Sequence, residues 1–460
     1  MKKLLIWTLM IVFIASMLTM GVGCKKEVAP VKDEVGGVET TATVAEAETT
    51  TTVAEAETTA TVAEKKDYGV LSHRTPATEY YVSEMAKQKD VRIVSTLMPV
   101  DTFIDVARIN LRSDNPGYDI YFAAGGEQIR EWAPAGLLEP LDEYIAKYSE
   151  KYNFKDIPQS EWDAVSYNGK IYGLPFEAIV MLLFYRSDIL EQYGLAVPKT
   201  LDEYLETAKV ITEKANGKIK GVGMTLKRAP ALANDFHCYL KAFGGSWYDK
   251  DMKPVFNSKA GLEALLYMKN LMQYAPSEAL TYANDESTVS MQQGQVAMMI
   301  QWVTRAASMD NPETSKVIGK VQWAKAPSVP GIDIPASRVS VDSFVIGKNT
   351  KGDKDKIFNI IAQATDIESE IKGASFSLSA RQSVANDPSI IEKFRWNGPA
   401  FETINAGAKD LDANPLFTVL TDGITLKISQ ALTGELEPQE ALDQAAKNAL
   451  EMLTKEGLIK

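Results

Sequence analysis

Residues 69–127 read GVLSHRTPATEYYVSEMAKQKDVRIVSTLMPVDTFIDVARINLRSDNPGYDIYFAAGGE, and the alternation inside this stretch decides the fold. Short apolar runs at 70–72, 91–96 and 118–122 read as strands, while 77–89 and 101–112 carry apolar residues at helical spacing. Strands separated by helices define βαβ units, and hence a parallel sheet covered on both faces. Ligands of such sheets bind beyond the carboxyl ends of the strands. His73-Arg74 follows the first strand, and Ala123-Ala124-Gly125-Gly126-Glu127 follows the third. Arg74 and Glu127 are therefore candidate binding residues on geometry alone.

Downstream the pattern turns mostly helical from about 180 to 322, with strand-like pieces at 221–225 and 296–301. Thr200 followed by Glu203 is a capping box opening a helix over 201–214. Further helices are expected at 261–274, 357–364 and 441–453, and a strand returns at 338–347. The chain thus leaves its first domain and comes back. The expected fold is α/β with two lobes, each a mainly parallel sheet flanked by helices, joined by more than one crossing. Residues 68–177 with 340–376 form the N-terminal lobe in this reading, and 178–339 with 377–460 the C-terminal lobe.

Upstream lies a different kind of sequence. Three near-copies of a nine-residue unit occupy 39–47, 48–56 and 57–65, and residues 27–64 hold nine acids against one lysine. A segment so acidic and free of aromatic residues cannot bury enough apolar surface to offset its ordering entropy. Residues 25–67 therefore read as a disordered tether. Before it, Lys2 and Lys3 precede an apolar run over 4–20, and Gly21-Val22-Gly23 leads into Cys24. A basic start, an apolar stretch and small residues before a cut site describe an export signal over 1–24.

The composition removes whole classes of function. The 460 residues carry 61 acids against 49 lysines and arginines, a net charge of -12. No basic cluster interrupts the folded part, which argues against nucleic acid as a partner. Cys24 and Cys238 are the only cysteines, and His73 and His237 the only histidines. A disulfide framework, a cysteine zinc site and a multi-histidine metal centre are thereby excluded, and no cofactor is expected. The chain has no phosphate loop of the Walker type, no G-x-S-x-G elbow and no H-E-x-x-H.

Several ordered blocks resemble bacterial extracellular solute-binding proteins of family 1, the sugar-importing, maltodextrin-binding-protein-like group. They include Gly136-Leu137-Leu138-Glu139-Pro140-Leu141-Asp142, Asn168-Gly169-Lys170-Ile171-Tyr172-Gly173-Leu174-Pro175, Pro198-Lys199-Thr200-Leu201-Asp202-Glu203 and Gln293-Gly294-Gln295-Val296-Ala297-Met298. Later matches fall at 379–384 and 434–442, so the resemblance spans nearly all of the folded chain. It implies a two-lobe periplasmic-binding-protein fold of type II, closing on a carbohydrate like a hinged trap and handing it to an ABC permease. The Gly21–Cys24 ending is similar to a lipoprotein lipobox, which implies export and lipid anchoring of a monomer through Cys24. Arg186 stands where the family usually has asparagine, and Val339-Ser340-Val341-Asp342 where many relatives have paired glycines.

Sugars are held by aromatic faces and by planar polar groups that take pairs of hydroxyls. Trp302, after the 296–301 strand, matches the block where relatives place a stacking tryptophan. Trp247 and Trp396 sit in loops near glycines, where core packing and ligand stacking compete as explanations. Glu177 lies where the family's first crossing falls, and a carboxylate there either binds hydroxyls or caps a helix. Asp342 sits in a strand of small and apolar residues at the return crossing, where a charge is costly unless it faces a cleft or a partner. Arg381 matches a family arginine. A glycosidase using Glu177 and Asp342 as its carboxyl pair, a surface adhesin, and a binding protein for another polar solute stand as alternatives to the sugar carrier.

Overall fold

The computed structural model describes residues 66–412, 414 and 416–459. The export signal, Cys24 and most of the tether fall outside the described residues. Eleven strands are described: β1 (Lys66–His73), β2 (Val91–Met98), β3 (Ile120–Ala123), β4 (Ser166–Tyr167), β5 (Lys170–Ile171), β6 (Gly173–Arg186), β7 (Lys220–Gly223), β8 (Val296–Trp302), β9 (Val321–Ala324), β10 (Val339–Ile346) and β11 (Leu378–Ser379). The first strand starts earlier than the apolar pattern suggests. Lys66 and Asp67 are already in β1, and Asp67 accepts from Arg92 Nε at 2.6 Å, so the tether gives way to the fold before residue 68.

The opening βαβ reading holds. Helix Pro76–Ala86 joins β1 to β2, and helix Val100–Leu111 joins β2 to β3. The start of helix Pro76–Ala86 is well marked, because Thr75 and Thr78 cap one another reciprocally and Pro76 takes a first-turn position that needs no N–H donor. Both β1–β2 and β1–β3 are parallel, as are β7 and β8. The sheets are mixed nonetheless. Strand β10 runs antiparallel to β3 and β6, and β6 antiparallel to β8 and β9, because a returning chain enters each lobe from the far side.

Strand β6 was not legible as one strand. Its Gly173-Leu174-Pro175 start reads as a turn and its continuation as helix, yet 14 residues run unbroken. A proline removes a ladder donor, so it enters a central strand only at an irregularity. Here the register against β10 slips between Asp342 and Ser343, which leaves Phe176 as the extra residue beside Pro175. Phe176 is then buried against Phe344, ring centroids 4.6 Å apart.

Two apolar cores result. One gathers β1, β3 and the helix Lys354–Ala364 around Phe122, Trp132 and Phe358. The other gathers β8 and the helices Leu201–Lys214, Pro230–Ala242 and Phe417–Thr433 around Phe184, Phe236 and Trp247. Strand β6 contributes Leu174 and Phe176 to the first core and Ile179 through Phe184 to the second. It is one crossing, and β10 is a second. Strand β11 pairs with Ala178 and Glu177 of β6 as a third, so the lobes are joined at one place by three strands. Beyond it the chain still holds to the first lobe, since Arg381 and Ser383 bond Tyr152, Asn153 and Asp156.

Candidate ligand-binding site

A cavity of about 350 Å³ opens between the two cores. Its first-lobe wall comes from the carboxyl ends of β1 and β3 and the start of helix Glu127–Trp132. Its floor is the beginning of β10, with Arg338, Ser340 and Asp342. The opposite wall carries Asn234, Trp302 and Arg305. Of the residues chosen from sequence, the structure brings Glu127, Trp302 and Asp342 together here.

The loop after β3 is shaped by two adjacent glycines with φ of 53° and 66°, in the left-handed region that other residues adopt at a cost. A Cβ on Gly125 would lie 2.7 Å from Ser340 Oγ and 2.8 Å from Arg338 Nη2. The loop is therefore pressed against the return crossing as only glycine allows. That contact delivers Glu127, the first residue of its helix, to an ion pair with Arg338. Arg338 also donates from Nη1 to Asn234 Oδ1 at 2.6 Å and from Nε to Asp410 Oδ1 at 3.1 Å. It is 4% exposed, and its guanidinium lies 5.6 Å from the ring centroid of Trp302. Trp302 ends β8, lines the cavity and is itself 7% exposed.

Asp342 accepts from Gly125 N–H at 3.3 Å. Burial pushes its carboxyl up to about 7, against the pull of Glu177, Gly125 N–H and Arg338 toward the ionised form. Directly across the strand pair stands Glu177, wholly buried. Ser377 and Asp342 lie beside it, and neither of its oxygens has a hydrogen-bond partner among the described residues. Burial first, and Asp342 second, hold the Glu177 carboxyl well above the usual range. Glu177 is off the cavity, so these two acids do not flank a ligand from opposite sides as a glycosidase pair must.

The remaining sequence candidates sit elsewhere. Arg74 points outward, 61% exposed, donating to Leu97 O at 2.7 Å, and its neighbour His73 takes the place on the cavity. Arg381 is fully buried, with Nε and both Nη groups donating to the carbonyls of Thr365, Tyr152 and Asn153. It ties segments together and has no access to a solute. Trp247 fills the second core among Phe236, Phe256 and Phe417. Its Nε1 donates to His237 Nδ1 at 3.0 Å, leaving His237 Nε2–H to donate to Lys409 O at 2.9 Å. Trp396 is wedged between Trp323 and Phe394, also away from the cavity. Arg186 closes on Asp188 through two bonds of 2.7 and 2.6 Å.

Several cavity residues were not among the candidates: Arg338, Asn234, His73 and Arg305. His73 stacks edge-on with Phe122, and burial followed by the charge of Arg305 lowers its pKa to about 3, so the imidazole is neutral. Arg305 pairs with Asp285 at 2.9 Å. Among the described residues no cluster of three His, Cys, Asp or Glu can hold a metal. No helix among them is long and apolar enough to cross a membrane.

A two-core α/β chain with a cavity at its three-strand crossing is the architecture of a solute trap, and the comparisons agree. The profile of bacterial extracellular solute-binding proteins matches residues 72–359, and the chain belongs to that family. The family's members are binding proteins rather than enzymes. A mannitol-binding protein of Pseudomonas aeruginosa is 24% identical over 361 residues, 71% of this chain and 78% of that one. A solute-binding protein of Agrobacterium radiobacter K84, solved with ribitol, has a TM-score of 0.77 at 24% identity, over 85% of this chain and 99% of that one. One from Thermotoga lettingae TMO, solved with α-D-tagatose, has a TM-score of 0.76 at 26% identity, over 85% of this chain and all of that one.

Proposed function

We propose that the cavity captures a small polyhydroxylated solute, a sugar or sugar alcohol of one or two units, and that lobe closure presents it to an ABC permease. The observation that carries this reading is the meeting of Trp302 with Glu127, Arg338 and Asp342 around about 350 Å³. An aromatic face beside planar hydrogen-bonding groups suits C–H surfaces and hydroxyl pairs. The volume lies near the lower end of small-molecule sites, roughly 300–1,000 Å³, which favours a short ligand over a long oligosaccharide. The mannitol, ribitol and tagatose named for the relatives are of this size and chemistry. A solute touching both walls binds the closed form better than the open one, and that difference drives closure.

No catalytic step is included in this reading. Burial raises the pKa of both acids at the crossing, and with Glu177 off the cavity they do not straddle a bond to be cut. The chain is read as exported and held to the membrane by acylated Cys24, a monomer carried on its acidic tether, and it has no role with nucleic acid. A thermal-unfolding screen tests the solute class. A ligand at 100 times its dissociation constant adds about 2.7 kcal/mol and raises the midpoint. The expected hits are neutral hexitols, pentitols and monosaccharides. A response only to peptides, amines or long oligosaccharides contradicts the proposal.

A further inference from the structure

Arg338 belongs to the second lobe through its backbone and most of its side chain. Its carbonyl accepts from Met181 N–H at 2.9 Å, and the next residue donates to Lys409 O. Nε and Nη1 are taken by Asp410 and Asn234, and the ring of Trp302 covers the guanidinium. Only Nη2 reaches across the cavity, to Glu127 on the first lobe. When the hinge opens, Asp410, Asn234 and Trp302 travel with Arg338, whereas Glu127 travels with the other core. Opening must therefore break Arg338–Glu127, a pair shielded from solvent, the two side chains 5% and 15% exposed.

The same contacts fix the charge that a ligand meets. Arg338 faces two carboxylates, Glu127 and Asp410, and Arg305 faces Asp285. Glu286 and Asp342 add further acids to the lining, and Lys227 adds a cation that is itself engaged with another group. To pair with Arg338 or Arg305, an incoming carboxylate or phosphate would have to displace an existing carboxylate and leave it without its partner, which is costly.

We infer that Arg338 is the positioning residue of this site: its link to Glu127 latches the lobes together, and its neutralisation by Glu127 and Asp410 makes the cavity reject anionic relatives of its solute. The latch stands on geometry alone, while the charge selectivity rests on the polyhydroxylated-solute reading. The two are tested separately. Small-angle scattering of the ligand-free chain compares wild type, Glu127→Gln and Asp410→Asn, each first shown by circular dichroism to be folded. Glu127→Gln removes the tie between lobes and increases the radius of gyration. Asp410→Asn removes a tie within one lobe and leaves it unchanged. An unchanged radius in Glu127→Gln, or equal expansion in both variants, overturns the latch whatever the solute is.

Calorimetry then compares D-mannitol with D-mannonate and ribitol with ribonate, pairs that differ by a terminal carboxylate. Wild type binds the neutral member at least tenfold more tightly, and Glu127→Gln narrows that ratio at least tenfold because Arg338 loses one carboxylate. A purely structural role for Glu127 weakens both members equally, and an unchanged ratio overturns the charge assignment. Wild-type binding of the anionic member as tightly as the neutral one also overturns it. Binding of neither pair, together with no hit among neutral sugars, refutes the solute reading and the charge assignment built on it, and the scattering result decides the latch.

Discussion

Replacing Asp342 by asparagine should stabilise the protein at pH 8 and leave it nearly unchanged at pH 4. Asp342 is raised from 3.8 to about 7 by burial, and Glu177 opposite it is raised in the same direction. In the unfolded chain the Asp342 carboxyl ionises near its ordinary value. Between about pH 4 and 7 the native state thus holds a proton that the unfolded state has lost. Stability falls with rising pH wherever the native state binds more protons, so this group costs stability across that window and its full cost is reached above it. A rise of about three units corresponds to about 4 kcal/mol, at no more than ~1.4 kcal/mol per pH unit. Asparagine keeps the acceptor for Gly125 N–H and has no charge to desolvate. Urea melts of wild type and Asp342→Asn at pH 4, 5, 6, 7 and 8 give the difference, to which Glu177, relieved of the charge opposite, contributes in the same sense. The difference should grow in the variant's favour up to about pH 7 and then level. A pH-independent difference, or one that shrinks as pH rises, refutes the argument that burial keeps this carboxyl protonated.

Other consequences are equally concrete. Trp302→Ala should weaken solute binding by about 1–3 kcal/mol, as loss of a largely buried aromatic face does, and calorimetry showing wild-type affinity would remove Trp302 from the site. Arg381→Met should lower stability by about 3 kcal/mol or more, because four carbonyl hydrogen bonds vanish and Glu370, 3.5 Å away, loses its cation, while folded variant protein should bind solute normally. Impaired binding with unaltered unfolding would instead make Arg381 a site residue. Cys24→Ser should move the protein from the membrane fraction to the soluble fraction of its host, and retention at the membrane would contradict lipid anchoring.

Much of the fold is legible because its signals are local. The alternation in β2, the capping box at Thr200 and Glu203, and the apolar stripe of helix Pro438–Lys455 each sit within a few residues of one another. Strand β6 is not, since Pro175 reads as a turn unless the slip opposite Asp342 is known, and that slip is made by a strand more than 160 residues away. The site divides in the same manner. Asp342 stands out as an acid within an apolar strand, and Trp302 ends one. Trp247, Trp396 and Arg381 look no different locally, yet the tertiary fold closes over them. The sheet-edge rule pointed to Arg74 after β1, whereas the structure places its neighbour His73 on the cavity, because which side chain turns inward depends on the last pleat of the strand. Arg338 carried only one signal, a cation immediately before an apolar run. Nothing in its neighbourhood separates it from the other 48 lysines and arginines until Asn234, Asp410 and Glu127 arrive from three distant segments.

The most direct test of the account is a calorimetric titration of the exported chain with D-mannitol, ribitol and D-tagatose, run beside Trp302→Ala. The account predicts saturable one-to-one binding of at least one of these neutral solutes to the wild type, weakened in the variant. Absence of binding by all three and by the wider panel of neutral sugars and polyols would contradict it, as would binding that Trp302→Ala leaves untouched.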